Sequence, residues 1–197
     1  MMRPSASVWS CVVGVGLALG GCASLRPLPS TDNVATAELR DADGRQVGTA
    51  TLTEVGDGVR VVLEMRGMAP GVKAVHIHEV GRCEPPTFAS AGAHLNPDGR
   101  QHGLLNSAGP HAGDLPNITI APGGSGRLET VNNRVTLRGH AALLDADGSA
   151  LVVHAMPDDF ITDPSGGSGG RVACGVLGKA ASGPEPAPPP PPVRPGY

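Results

Sequence analysis

The residues of this sequence best suited to chemistry are its histidines, of which there are seven. His76 and His78 lie two residues apart in a strand-like run. Because alternate residues of a β-strand point to the same face, both imidazoles can reach one metal ion while Ile77 faces away. A single His-x-His pair is weak evidence of a site, so the prediction depends on the histidines elsewhere.

The other histidines and one carboxylate complete two sets of metal donors. Residues 80–116 lack periodicity, and such long stretches inside a compact domain are usually functional. This stretch holds three imidazoles and one carboxylate that suit tetrahedral zinc: His94, His102, His111 and Asp114. His154 ends a later apolar run and adds an imidazole to a nitrogen-rich site that suits copper. We therefore predict two metal ions and leave His140 as a solvated loop residue.

Short strands separated by turns must position these residues. Glycine (29 residues) and proline (20) are frequent and only 17% of residues are charged, which favours a loop-rich all-β domain. Alternating apolar runs predict about eight antiparallel strands in a sandwich or barrel, over residues 34–40, 46–55, 59–65, 73–79, 118–121, 127–131, 150–154 and 172–177. The irregular stretches 80–116 and 155–170 are then two long functional loops.

The two ends of the chain do not resemble a folded domain. Residues 1–21 have the pattern of an export signal, and the Leu-Gly-Gly-Cys sequence that ends at Cys22 resembles a bacterial lipobox. We predict a lipidated Cys22, a linker over 22–32, a folded domain over 33–178 and a proline-rich disordered tail over 179–197. An ordinary cleaved signal is the alternative. Either way the protein is exported, and we expect it in the periplasm, held to the outer membrane by its lipid.

Cysteine positions and charge narrow the class of protein further. Cys11 lies in the predicted signal and Cys22 in the lipobox, so Cys83 and Cys174 remain for the folded domain. Two cysteines in an exported domain suggest one disulfide. The formal net charge of -3 argues against binding of nucleic acid.

Five motifs resemble, in the same order, those of the copper,zinc superoxide dismutases: HIHE at 76–79, AGAHLNP at 91–97, GPHAGDL at 109–115, VVH at 152–154 and GRVACGV at 170–176. The resemblance spans about residues 34–177. It implies a Greek-key β-sandwich with one copper and one zinc per subunit, and an enzyme that converts superoxide to oxygen and hydrogen peroxide. In an exported protein, this activity would protect the cell envelope.

The resemblance also implies roles for individual residues. Copper is bound by His76, His78, His94 and His154, and zinc by His94, His102, His111 and Asp114. His94 is then a bridging imidazolate and a catalytic residue, and Cys83 and Cys174 form the disulfide of the family.

Two further roles follow from the resemblance. Asp158 links a copper histidine to a zinc histidine, with Asp159 as its competitor. Arg171 is the catalytic arginine that attracts superoxide beside the copper. Residues 160–170 depart from the family pattern because they are poor in charged residues, so we expect substrate guidance to depend mainly on Arg171, with Arg100 and Lys179 as candidate helpers.

The rivals are a metal-binding module without turnover and a structural envelope protein. Monomer and homodimer are equally open.

Overall fold

The computed structural model describes residues 31–180. The predicted signal, Cys22 and residues 181–197 of the predicted tail lie outside them. The described part has ten strands: β1 (Val34–Arg40), β2 (Gln46–Val55), β3 (Gly58–Met65), β4 (Gly71–Lys73), β5 (Val75–His78), β6 (Ile118–Ile120), β7 (Gly126–Asn132), β8 (Ala150–His154), β9 (Arg171–Val176) and β10 (Gly178–Lys179). Two short 3-10 helices cover Thr31–Asn33 and Ala89–Ala91.

The strands form one curled antiparallel sheet and a small two-stranded one. The large sheet has the order β5-β8-β9-β1-β2-β3-β7, and β4 pairs with β6. Strands β1, β2 and β3 are joined by tight turns, and β9 returns from far along the chain to lie beside β1, as in a Greek key. The predicted all-β class is confirmed.

Alternation of apolar residues decides which face of the sheet becomes the core. In β1 every second residue is buried, and in β3 Val59, Val61, Leu63 and Met65 all point inward. The core is aliphatic and includes Leu39, Leu52, Ile118 and Leu151 at 0–1% exposure. Because one face of β1 and of β3 is buried and the other is largely exposed, a register shift of one residue would expose the buried set, and the register of these strands is therefore fixed.

Two boundaries differ from the sequence-based expectation. Residues 73–79 form two strands rather than one, because the backbone of Ala74 turns away and exchanges hydrogen bonds with Met156 and His154. This break separates β4 from β5 and leaves β5 free to pair with β8. At the other end, pairing continues past the predicted domain boundary at Gly178, since Lys179 pairs with Ala35. Within residues 31–180 no helix is both long and apolar enough to cross a membrane.

Candidate metal centre

Strand β5 positions the His-x-His pair inside the protein rather than at an open edge. His76 and His78 are buried at 0% and 1% exposure. The loop that follows β5 folds back along it, so that Ile77 donates to the carbonyl of Gly113 and accepts from the amide of Leu95, both at 2.9 Å. Bridges also pair His76 with Asp114 and His78 with His94. The backbone of β5 therefore brings the loop donors to the strand donors.

Four buried imidazoles form the first cluster: His76, His78, His94 and His154. Their donor atoms all lie within 4.8 Å of one another. In three of them one ring nitrogen is hydrogen-bonded away from the cluster: His76 Nε2 to Asp158 at 2.7 Å, His78 Nδ1 to the Gly92 carbonyl at 3.0 Å, and His154 Nδ1 to the Gly169 carbonyl at 3.2 Å.

The opposite nitrogens of these three rings have no protein partner. Within residues 31–180, His76 Nδ1, His78 Nε2 and His154 Nε2 are buried without a hydrogen bond. Because a proton on the partnered nitrogen leaves a lone pair on the other, three lone pairs face the cluster. Buried polar atoms are rarely left unpaired, and a nitrogen-rich set of this kind suits a copper ion. The residues therefore fit the copper that the sequence predicts.

A second cluster shares His94 with the first and centres on Asp114. The Asp114 Oδ1 atom lies 3.1 Å from His94 Nδ1, 3.0 Å from His102 Nδ1 and 3.5 Å from His111 Nδ1. The other carboxylate oxygen, Oδ2, accepts the amides of Gly103 at 2.9 Å and of His111 at 3.0 Å. Backbone hydrogen bonds therefore aim Oδ1 at three imidazole nitrogens, a donor set that fits tetrahedral zinc.

His76 also lies close to this second cluster. One donor atom of His76 lies within 4.8 Å of donor atoms of His94, His102 and Asp114. The hydrogen bonds favour His111 as the fourth donor, because His76 Nε2 is bound to Asp158, whereas His111 Nδ1 lies 3.4 Å from His94 Nδ1. The structure thus brings together all seven donors that the sequence singles out.

Asp158 connects the two clusters. Its Oδ2 is 2.7 Å from His76 Nε2 and its Oδ1 is 3.0 Å from His102 Nε2. Its neighbour Asp159 instead accepts the amides of Ile161 and Thr162 and caps a turn. The bridging position expected of Asp158 is therefore occupied by that residue and not by Asp159. A carboxylate here orients both rings and keeps their Nδ1 atoms turned toward the metal sites.

Burial and hydrogen bonding keep the donor groups in the protonation states that metal binding requires. Burial lowers the pKa of His78 to about 2, that of His154 to about 3 and that of His94 to about 4. These rings are therefore neutral near pH 7. Burial raises the pKa of Asp114, but hydrogen bonds from His102, His111 and His94 outweigh it and hold that pKa well below its usual range. The carboxylate is ionised as a ligand must be.

His102 is the exception to this pattern. Burial alone would lower its pKa, but Asp114 and Asp158 each accept a hydrogen bond from its ring and together raise that pKa to about 9. A metal ion bound at Nδ1 must displace this proton. Zinc bound at this site would therefore release a proton below about pH 9.

Arg171 is held next to the first cluster by main-chain carbonyls. Its guanidinium donates to the carbonyls of Phe88 and Gly92, both at 2.6 Å, and the Gly92 carbonyl also bonds His78 Nδ1. Its positive charge lowers the pKa of His78 and of His154, so it acts on both rings. Because Arg171 stays partly exposed, its charge is available to an anion that enters from solvent.

A disulfide joins the metal loop to β9. Cys83 and Cys174 are bonded across 91 residues of sequence, and the predicted disulfide is confirmed. The bond ties the start of the loop to the strand that begins at Arg171. Among the other candidates, Lys179 pairs with β1, and Arg100 lines a small surface cavity with Asp98 and Arg134.

Two polar residues lie outside the donor clusters, and sequence reasoning assigned a role to only one of them. His140 is 70% exposed and contacts only Asp98 among the described acidic residues, which agrees with the solvated role expected for it. Asn117, which received no role, fixes Asp158 by accepting its amide and donating to its carbonyl, both at 2.9 Å. A polar residue just before the buried strand β6 was the signal that could have identified Asn117.

Comparisons with known proteins agree with this geometry. A family model for copper/zinc superoxide dismutase matches residues 46–177. The chain belongs to the copper/zinc superoxide dismutase family. It is 47% identical over 151 residues to superoxide dismutase (Cu-Zn) 2 of Aquifex aeolicus, covering 75% of this chain and 88% of that protein.

Two further relatives support the assignment. The superoxide dismutase (Cu-Zn) of Caulobacter vibrioides is 49% identical over 147 residues, which cover 73% of this chain and 84% of the relative. A crystal structure of a SOD-like protein from Bacillus subtilis has a TM-score of 0.70 at 36% identity, covering 72% of this chain and 97% of that one. Copper and zinc are the cofactors of this superoxide dismutase family, and both donor clusters lie within the matched segment.

Proposed function

We propose that the chain disproportionates superoxide at a copper ion bound by His76, His78, His94 and His154, next to a zinc ion bound by His94, His102, His111 and Asp114. The observation that carries the proposal is the set of three buried ring nitrogens without a partner. An unpaired buried polar atom costs about 1–3 kcal/mol, so three of them facing one point indicate a ligand that satisfies all three. Four imidazole nitrogens suit copper, whereas three imidazoles and a carboxylate suit zinc.

The bound metals and the side chains of the protein have different roles in the reaction. Bound copper supplies a one-electron couple that oxidises one superoxide to oxygen and, with two protons, reduces a second to hydrogen peroxide, while zinc supplies no redox step. Arg171 attracts the anion and orients it, because its guanidinium is fixed by two carbonyls. His94 Nδ1 faces Asp114, which leaves Nε2 as the ring atom that can hold a proton next to the departing peroxide.

Metal content and dismutation, measured together, test this proposal. We expect the wild type to hold one copper and one zinc and to be active. His154→Ala should lose copper, because it removes one of the four nitrogens. Arg171→Ala should keep both metals and lose about tenfold or more in rate, the range of electrostatic steering. His140→Ala, a histidine outside both clusters, is the matched control and should behave as wild type.

Two outcomes would contradict the proposal. Full metal content without dismutation would make the chain a metal-binding module on this fold. Unchanged copper content in His154→Ala would remove that residue from the ligand set.

We also propose that the protein is exported, is anchored to the outer membrane by a lipid on Cys22, and protects the periplasm and cell envelope from superoxide. The support is the signal and lipobox pattern of residues 1–22 alone. Cell fractionation tests it: the wild type should sediment with membranes, whereas Cys22→Ala should not. Recovery of the wild type in the soluble fraction would contradict the anchor. Association into a homodimer stays a prediction.

A further inference from the structure

The segment 111–114 carries two of the donors proposed for zinc, and hydrogen bonds from other segments hold its backbone. All four of its carbonyl oxygens accept a hydrogen bond from outside the segment. The Gly113 carbonyl accepts from the amide of Ile77 in β5 at 2.9 Å. The other three carbonyls are bound by two side chains, Asn132 and Arg134, which lie at and just beyond the end of β7.

These two side chains divide the carbonyls between them. Asn132, exposed by only 1%, donates from Nδ2 to the Ala112 carbonyl at 2.8 Å. Arg134 donates from Nη2 to the Asp114 carbonyl at 2.6 Å and from Nε to the His111 carbonyl at 3.3 Å. Asn132 Oδ1 also accepts the amide of Arg134 at 3.0 Å, which fixes one residue against the other. We name Asn132 and Arg134 the carbonyl clamp.

Arg134 binds main-chain carbonyls in place of the carboxylate side chains that usually pair with arginine. Burial lowers the pKa of its guanidinium, and among the described residues no carboxylate side chain forms an ion pair with it. The desolvation is instead offset by two main-chain carbonyls, both belonging to proposed zinc ligands. The rigid fork of a guanidinium can hold two acceptors in fixed positions, which the single ammonium of lysine cannot do.

We propose that Arg134, supported by Asn132, is a positioning residue of the zinc site: it holds the backbone of His111 and Asp114 so that their donor atoms face His94 and His102 before the metal arrives. The inference rests on the zinc assignment proposed above. Metal sites depend on outer contacts that orient their ligands, and removal of such a contact typically weakens metal binding by about 10- to 100-fold. The clamp acts on two of the four zinc donors and on none that belong to copper alone.

The charge of Arg134 works against this effect, so the test must separate charge from geometry. A cation near a dication disfavours metal binding, and on charge alone its removal would tighten zinc binding. Arg134→Lys keeps the charge and the aliphatic stem but can reach only one carbonyl. Arg134→Gln removes both the charge and the fork. Arg138→Gln, an exposed arginine four residues further on, is the matched control.

The experiment measures zinc and copper dissociation constants of the full-length protein by competition with a chelator. We expect Arg134→Gln to weaken zinc about tenfold and Arg134→Lys about threefold, the equivalent of one hydrogen bond, with copper affinity unchanged in both. Arg138→Gln should match the wild type. The visible spectrum of cobalt bound in the zinc site should lose tetrahedral intensity in Arg134→Gln, a change that a general loss of stability does not produce.

Several results would overturn the inference. Equal zinc affinity in Arg134→Gln, Arg138→Gln and wild type would do so, as would tighter zinc binding in Arg134→Gln. An equal loss of zinc and copper would assign Arg134 a general structural role. If Arg134→Gln does not fold, wild-type zinc affinity in Arg134→Lys is sufficient to refute the clamp. A wild-type protein that binds copper but no zinc would instead refute the zinc assignment itself.

Discussion

Replacing Asp158 by asparagine should weaken both metal sites at once. Three N–H groups point at the Asp158 carboxylate, two from the rings of His76 and His102 and one from the Phe160 amide at 2.6 Å. In the Asp158→Asn variant one carboxylate oxygen becomes an NH₂ group, which donates and cannot accept. One imidazole N–H then faces another donor in a buried site, and the other keeps an acceptor that is neutral instead of charged, while the shape of the side chain is unchanged.

The size of the effect follows from these contacts. Loss of a hydrogen bond to a charged group costs about 1.5–3 kcal/mol, which corresponds to about 10- to 100-fold in metal affinity. The two rings belong to different proposed sites, so we expect copper and zinc to be released together at lower chelator concentrations than from the wild type. Dismutation should fall in parallel with the copper content.

The neighbouring residue provides the control for this prediction. Asp159→Asn changes the same functional group one position along, where the side chain caps a turn through Oδ1 and does not touch the rings. We expect it to keep both metals. The reasoning would be refuted if Asp158→Asn retained wild-type affinity for both metals, or if Asp159→Asn lost them to the same extent.

Two further predictions concern stability. The double change Cys83→Ser and Cys174→Ser removes the disulfide, which joins residues with a sequence separation of 91. Because the unfolded chain gains entropy, the free energy of unfolding should fall by about 4–5 kcal/mol, measured by urea denaturation. A loss below about 1 kcal/mol would contradict this prediction. The metal-free protein should be most stable near pH 6.5. In the unfolded chain, histidines have a pKa of about 6.5 and become protonated below that pH. In the folded protein, His94 and His154 stay neutral until the pH falls to about 4 and 3. Between these values each of the two residues lowers the free energy of unfolding by about 1.4 kcal/mol for every unit that the pH falls. Above it, His102 stays protonated in the folded state up to its pKa of about 9, so its contribution is lost as the pH rises from about 6.5 to 9. Denaturation of the metal-free protein at pH 5, 6.5 and 8.5 tests this, and a rise in stability from pH 6.5 to 5 would refute it.

The sequence alone determined much of the architecture because its signals are local. Alternation of apolar residues identified most strands to within a residue, since burial on one face imposes a period of two. The same period placed His76 and His78 on one side of β5. The cysteines of the folded domain left a single pairing, and the bond between Cys83 and Cys174 is present.

What the sequence could not determine depends on contacts between distant segments. The break at Ala74 depends on hydrogen bonds to residues at and beyond the end of β8. No local sequence pattern predicts these bonds. The resemblance favoured Asp158 over its competitor Asp159, but only the structure shows which of the two carboxylates faces His76, 82 residues away in sequence. Both are aspartates in the same turn, and only the packing of the loop on the histidine cluster distinguishes them.

The orientation of each imidazole is likewise a tertiary property. Which ring nitrogen faces the metal is set by the group that binds the other one, and those groups are a carboxylate for His76 and main-chain carbonyls for His78 and His154. The sequence cannot reveal which main-chain carbonyl accepts such a hydrogen bond, because every residue has one. For the same reason the role of Arg134, whose acceptors are the carbonyls of His111 and Asp114, emerges only from the folded structure. The sequence supplied the donor types, and the fold decided which atoms meet.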